Sequence, residues 1–298
     1  CGELECLGSR EALEARAGVE VPDLHKHFVD ELEWECASCG GKMRRVPEVL
    51  DCWFESGAMP YAQNHYPFEN KEMVEQNLPA HFIAEGLDQT RGWFYTLLVL
   101  STALFDRPAF QNVIVNGLIL AEDGRKMSKS LKNYPDPTEV VEAHGADALR
   151  AYLINSPVVR AEPMRFTEQG VRDVVRSVIL PLWNAYSFFA TYASVDGWTP
   201  PAEGEATPIS ERALLDRWVI SVQQSLIAEV NAEMEAYRLY NVIPAVLGFV
   251  DDLTNWYIRR SRRRFWRSTD DAEGLVDKAS AYATLYEALV TFSKVLAP

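Results

Sequence analysis

An α/β segment followed by an all-α segment is the fold class this 298-residue sequence predicts, and three observations predict it. The short apolar runs "HFIAEG" and "NVIVNGLIL" flank the long apolar stretch "QTRGWFYTLLVLSTALF", in the order strand, helix, strand. That order is the unit of a parallel sheet. Beyond Asp136 apolar residues recur at helical spacing in four long stretches, 167–194, 210–237, 239–267 and 274–296, and no strong strand signal returns. Ahead of both stands a segment of about 47 residues marked by cysteine and glycine.

Within residues 1–47, "GSREALEARAG" reads as a short helix between two cysteine knuckles, so the segment reads as a small insertion module. Residues 48–135 hold the β-α-β pattern, with its helix expected to be largely buried. Residues 136–206 open on "DPTEVVEAHGADALRAYLINS", where Asp136 before Pro137 predicts an N-terminal cap and Gly145 a break. The same segment closes on "VDGWTPPAEGEATP", the expected linker. Residues 207–298 read as a helical bundle that Pro298 ends early, with the acids of 211–235 on solvated faces.

Composition narrows the function classes. A hydrophobic content of 48% is that of an ordinary globular chain, and no apolar stretch reaches membrane-spanning length. The net charge of −14 opposes non-specific binding to nucleic acid, so any such contact needs a local cationic patch. Five cysteines, two in a Cys-x-x-Cys, suit a reducing cytoplasm with a metal site better than a disulfide framework. The chain begins at Cys1 without an initiator methionine and reads as a fragment of a larger protein.

Two cationic patches stand out. In "AEDGRKMSKSLKNYPDP", residues 121–137, Gly124, Ser128 and Ser130 predict an open, mobile backbone. Lys126 and Lys129 offer ammonium groups that can neutralise phosphate charge during phosphoryl or nucleotidyl transfer. A solvated basic turn is the alternative for a lone Lys-Ser-Lys tract, but not for the full string Lys-Met-Ser-Lys-Ser. In "NWYIRRSRRRFWR", Arg259, Arg260, Arg263, Arg264 and Arg267 fall near one helical face, while Trp256 and Phe265 anchor the opposite side or stack. Pairing of these arginines with the acids of neighbouring helices is the competing reading.

Other residues carry less. Cys36 and Cys39 form a zinc half-site whose remaining ligands must come from elsewhere. Cys52 reads as a small buried hydrophobe, and His65, His81 and His144 as structural. "EGLDQTRGWF" follows one expected strand and opens a helix, where ligands sit in open α/β sheets; helix capping is the plainer role for Asp88 and Gln89.

Lys-Met-Ser-Lys-Ser is the signature loop of class I aminoacyl-tRNA synthetases. With "VLDCWFESGAMPYAQNHYPFEN", "FIAEGLDQTRGWFYTLLVLSTALF", "NGLILAEDGRKMSKSLKN" and "NWYIRRSRRRFW", the chain resembles the isoleucyl-tRNA synthetase family. Valyl and leucyl relatives carry different residues where this chain has "DCWFESGAMPYA". The resemblance implies the second half of a Rossmann-type catalytic domain over 48–135, the zinc-bearing end of a connective insertion over 1–47, a stem-contact segment over 136–206 and the start of an anticodon-binding bundle over 207–298.

The chemistry it implies is ATP-dependent activation of L-isoleucine to isoleucyl-adenylate, followed by transfer to tRNA(Ile), with ATP and Mg2+ as substrate. Lys126, Met127, Ser128, Lys129 and Ser130 are then ATP-binding, with Lys126 and Lys129 catalytic. Glu85, Gly86, Asp88 and Gln89 contact the adenylate, and Trp53 and Trp93 line the isoleucine pocket. Cys1 joins Cys36 and Cys39 around a structural Zn2+, with Cys6 a substitute fourth ligand, and Arg259, Arg260, Arg263, Arg264 and Arg267 meet tRNA. The family's His-x-Gly-His motif is not in the sequence, nor is an editing domain, so the chain alone is expected to be inactive, a monomeric cytoplasmic piece. An RNA-binding protein on a degenerate synthetase scaffold is the rival, and the intact lysines speak against it.

Overall fold

The computed structural model describes residues 1–202, 204–268 and 271–297. The chain divides into two compact units, Cys1–Leu78 with Gly92–Ala109, and Pro79–Arg91 with Phe110–Pro298. The division runs through the expected 48–135 block, because its central helix packs on a helix earlier in the chain.

In the first unit, helix α1 (Arg10–Ala17) is capped by Ser9, whose hydroxyl accepts from Ala12 N, and stops at Gly18 with φ 71°. After the short α2 (Lys26–Val29), strands β1 (Glu33–Glu35) and β2 (Lys42–Arg44) form an antiparallel hairpin. Glu33 pairs with both Lys42 and Arg44 across it. Asp51 caps α3 (Cys52–Ala62), which is followed by α4 (Lys71–Asn77) and, later in the chain, α5 (Trp93–Phe105).

Helices α3 and α5 meet at Gly57, where a Cβ would stand 2.8 Å from Thr96 and 2.9 Å from Leu100; only glycine permits that approach. Ala58, Tyr61 and Val74 form the local core, with Tyr66, Leu100 and Phe105 packed against it. Phe94, Leu97 and Ser101 are buried, but Tyr95, Leu98, Val99 and Leu104 are exposed. The largely buried helix predicted from its composition is therefore covered on one face. Cys52, expected inside, is exposed: as the first residue of α3 it precedes the turn that packs on α5.

The second unit holds β3 (Ala80–Gly86) and β4 (Phe110–Asn116), paired in parallel from Ala80↔Phe110 to Gly86↔Asn116, with α5 in the connection between them. The run expected as one strand breaks after Asn116 and resumes as β5 (Ile119–Leu120). Gly117 makes the break: its N–H donates to Val158 O, and a Cβ there would overlap the Glu162 carbonyl. Strand β5 pairs in parallel with β6 (Met164–Arg165). That strand lies in the region read as helical only, and two residues are too few to show alternation.

From Asp136 the chain is mainly helical. Asp136 accepts from Thr138 N at the start of α6 (Pro137–His144), and Gly145, φ 86°, separates it from α7 (Ala146–Ile154). Helix α8 (Glu168–Val174) passes through a π turn at Val175–Ile179 into α9 (Leu180–Asp196), which Gly197 ends. The expected linker follows, with residue 203 outside the described residues. Helices α10 (Leu214–Glu235), α11 (Leu239–Asp251), α12 (Arg259–Trp266) and α13 (Ala272–Leu296) make the bundle, with a π turn at Asp252–Ile258 joining α11 to α12. Its core centres on Val219, Tyr257, Phe265, Leu285 and Phe292. Pro298, read as the early end of the bundle, lies outside the described residues.

Candidate functional site

The lysine loop leaves β5 through a tight turn. Gly124, φ 83°, lets Gly124 N donate to Ala121 O while Ala121 N donates to Arg125 O, and Leu120 bridges Lys126 in antiparallel fashion. Arg165 of β6 stacks on the bare face of Gly124, 3.0 Å from where a Cβ would stand. Asp123 receives Arg125 N–H and the Arg125 side chain, and these hold its carboxyl below the usual range.

Beyond the turn the loop is tied by hydrogen bonds to its own backbone. Asn133 Oδ1 accepts from Ser128 N at 2.9 Å and Asn133 Nδ2 donates to Lys126 O at 3.2 Å. The Ser128 and Ser130 hydroxyls share a 2.7 Å hydrogen bond, and Lys132 N donates to Ser128 O. Lys126 and Lys129 are exposed, and neither has a carboxylate partner among the described residues. Two unneutralised ammonium groups on a braced loop are suited to a polyanion.

In the same unit, Glu85 and Gly86 end β3 and Asp88 and Gln89 lie in a 3-10 turn, Leu87–Arg91. Glu85 Oε2 accepts from Gly86 N at 3.0 Å, and Asp88 Oδ2 accepts from Gln89 Nε2 at 3.3 Å. Asp88 crowds Gly86 so closely that a Cβ there would be 2.7 Å from its carboxylate. These polar groups therefore collect at the carboxyl end of a parallel strand, where ligands of such sheets bind.

In the first unit, Trp53 lies in the first turn of α3 and is 42% exposed, while Trp93 opens α5 and donates its indole N–H to Ser56 O at 3.0 Å. The two tryptophans thus lie in the first turns of the two helices that pack at Gly57, and neither is a fully buried core aromatic. Cys1, Cys36 and Cys39 present their sulfurs within 4.8 Å of one another. Cys36 N–H donates to Gly41 O and Gly40 N–H to Cys36 O, the turn that returns Cys39 toward Cys36. Cys39 is shifted toward the thiolate by Gly41 N–H and then by Cys36. Cys1 lies 3.7 Å from Cys36 and 3.1 Å from Cys39, against about 3.8 Å between thiolates on a tetrahedral zinc. The donor set and spacing fit that ion; Cys6 is not in the group among the described residues.

The arginine helix divides by role. Arg259, Arg260, Arg263 and Arg267 are exposed, as is Arg262, which helical spacing did not single out. Arg260 lies over the Trp256 ring, 3.6 Å from its centroid, while Phe265 is fully buried. Arg264, read from the sequence as a tRNA contact, instead points inward. It grips Asp216 through both guanidinium nitrogens at 2.7 Å and reaches Asp277 at 2.7 Å, and Tyr257 donates to Asp216 at 2.8 Å.

Burial opposes the charge on Arg264, but Asp216 and then Asp277 outweigh it and raise its pKa. Burial, then Asp216, pushes the Tyr257 hydroxyl well up. Asp216, on a helix face read as solvated, is 0% exposed. Only a partner remote in the chain makes that burial tolerable. His144, read as structural, pairs with Glu168 at 2.9 Å.

Comparison with known proteins matches residues 3–165 to the family model described as tRNA synthetases class I (I, L, M and V), and residues 216–298 to the anticodon-binding domain of tRNA ligase. The isoleucine–tRNA ligases of Treponema denticola and Protochlamydia amoebophila are each 56% identical to the chain. Both matches cover 100% of this chain and 28% of the relative, so the chain spans under a third of their length. Among solved structures, Mycobacterium tuberculosis methionyl-tRNA synthetase bound by methionyl-adenylate aligns with a TM-score of 0.67 at 18% identity, over 89% of this chain and 50% of that one. The LeuRS of Agrobacterium radiobacter K84, in a ternary complex with tRNA and LeuAMS, aligns with a TM-score of 0.63 at 19% identity, over 89% and 32%.

Proposed function

The chain belongs to the class I tRNA synthetases of the I, L, M and V group, and from that premise we propose that it is a part of an isoleucine–tRNA ligase carrying the ATP-binding loop and the start of the tRNA-binding bundle. The observation that carries this reading is the braced loop with Lys126 and Lys129 exposed and without carboxylate partners. The 56% identity to isoleucine–tRNA ligases favours isoleucine over the other amino acids of the group.

In this reading the isoleucine carboxylate attacks the α-phosphate of ATP, the bond to the β-phosphate oxygen breaks, and pyrophosphate leaves. Lys129, with Lys126 beside it in sequence, neutralises the charge that gathers on the phosphates, and the hydroxyls of Ser128 and Ser130 and the backbone at Met127 complete the loop's contacts. Mg2+ enters with ATP as substrate. Glu85, the Gly86 backbone, Asp88 and Gln89 hold the adenylate, and Trp53 and Trp93 hold the isoleucine side chain. An aromatic slot rejects larger side chains but disfavours valine by only about 1–3 kcal/mol, so the whole enzyme needs editing.

Exposed Arg259, Arg260, Arg263 and Arg267 contact tRNA phosphates, against the −14 charge of the whole chain. Cys1, Cys36 and Cys39 hold a structural zinc that ties the front of the chain to the β1–β2 hairpin. The protein works as a cytoplasmic monomer, and among the described residues no helix is long and apolar enough to cross a membrane.

The test is amino-acid-dependent pyrophosphate exchange by the full-length protein with isoleucine, valine, leucine and methionine. Isoleucine is expected to give the highest kcat/KM; a higher value for another amino acid overturns the assignment. The 298-residue chain alone, which lacks His-x-Gly-His, is expected to show no exchange.

A further inference from the structure

Among the side chains around the lysine loop, one is unusually well employed. The amide of Asn133 uses its oxygen on Ser128 N and its nitrogen on Lys126 O, so a single planar group spans the loop and is bonded to backbone at both ends. An asparagine suits this place because it offers an acceptor and a donor side by side; no carboxylate or aliphatic side chain does so at neutral pH.

The bend that brings Asn133 back to the loop is costly. Lys132 sits at φ 47°, a left-handed conformation that non-glycine residues rarely adopt, while its N–H closes on Ser128 O. The backbone therefore folds through an unfavourable residue, and what the fold delivers is the Asn133 amide against the loop. Lys126 and Lys129 project from the segment so tied, and the hydroxyl pair Ser128–Ser130 lies on it too.

We propose that Asn133 is a positioning residue for adenylate formation: it sets the Lys126–Ser128 backbone so that Lys126 and Lys129 meet the triphosphate in one arrangement. It touches no reacting atom and acts through the two lysines. The inference rests on the reading of this loop as the ATP-binding one.

The experiment is isoleucine-dependent pyrophosphate exchange by the full-length protein carrying Asn133→Ala, Asn133→Asp or, as a control on the loop's role, Lys129→Ala. Asn133→Ala is expected to lower kcat by about 10- to 100-fold, the scale of a misplaced reacting geometry. KM for isoleucine, transfer from preformed isoleucyl-adenylate to tRNA, and the thermal midpoint should stay near wild type.

Asn133→Asp is nearly isosteric, which keeps the test available if the alanine variant misfolds. Its ionised carboxylate accepts from Ser128 N but cannot donate to Lys126 O, and once protonated it can do both. Its deficit relative to wild type should therefore shrink as pH falls toward the carboxyl range, which a merely structural role would not produce. A folded Asn133 variant with wild-type kcat, beside a Lys129→Ala variant that has lost exchange, overturns the proposal and leaves the ATP reading standing. Unchanged exchange in Lys129→Ala as well removes the ATP reading and the proposal with it.

Discussion

The lysine loop and the arginine helix are both cationic patches on an acidic chain, and they are built by opposite means. At the loop Lys126 and Lys129 have no carboxylate partner among the described residues, and the backbone is fixed by uncharged partners, chiefly Asn133. At the helix one charged group, Arg264, is consumed inside the bundle, where it ties α12 to α10 through Asp216 and to α13 through Asp277. Its neighbours remain in solvent. A loop without packing has to borrow rigidity from hydrogen bonds to its own backbone, whereas a helix has rigidity already and needs only an anchor. Counting cations in a motif therefore overstates the number available to a ligand when one of them is that anchor.

Breaking the anchor should give the largest effect. Arg264→Met strands Asp216 in the core and is expected to cost about 3–5 kcal/mol, read as a lower denaturation midpoint of the bundle. Replacing Asp216 by leucine in the same molecule removes the stranded charge and should recover much of the loss; no recovery would mean that the pair is not the source of the cost.

On the loop, Lys129→Ala is expected to slow activation by about 10²- to 10³-fold, or about 2.7–4 kcal/mol, without moving the denaturation midpoint. Equilibrium binding of tRNA should be nearly unchanged by it. The two patches are then separable: one substitution acts on stability and the other on the chemical step.

Smaller again is the effect of an exposed arginine. Arg263→Ala should leave stability within about 0.5 kcal/mol and reduce the slope of log binding constant against log salt by about one phosphate contact. Titration of tRNA binding across salt concentrations measures it, and an unchanged slope removes Arg263 from the interface.

The smallest effect is on the acid limb of stability. Glu233 lies in the last turn of α10, where Arg238 and then Asn241 hold its pKa down from 4.5 to about 2. A depressed carboxylate stabilises the fold above its unfolded value, and the contribution is lost as pH falls through the folded one. Glu233→Gln should thus flatten the decline in stability between about pH 4.5 and pH 2, with little change near neutrality. Because its partner Arg238 is exposed and the pair still reaches solvent, the change should be small and should fade with salt.

Much of this was legible along the chain because it is local. Asp136 before Pro137 and Gly145 act on residues within a turn of themselves, so cap and break follow from neighbours. The strand–helix–strand order and the four helical stretches follow from apolar period for the same reason. So did the lysine string, whose residues are contiguous. Illegible were the features made by distance: the exposed outer face of α5, the two-residue strand β6, the exposure of Cys52 and the inward turn of Arg264. Cys1 and Cys36 are 35 residues apart, and only the resemblance to a known family, not their spacing, brought them together in advance.

By itself, then, the sequence determined where helices start and stop, which loop carries the contiguous lysine string, and that any cationic patch must be local on an acidic chain. Those are consequences of backbone dihedrals, capping and composition, which a residue and its neighbours settle. Tertiary structure alone decided which cations are free. Whether Arg264 meets solvent or Asp216 depends on desolvation and on a partner 48 positions away. A guanidinium is stable either in water or against buried carboxylates, and only the packing of α10, α12 and α13 selects between them.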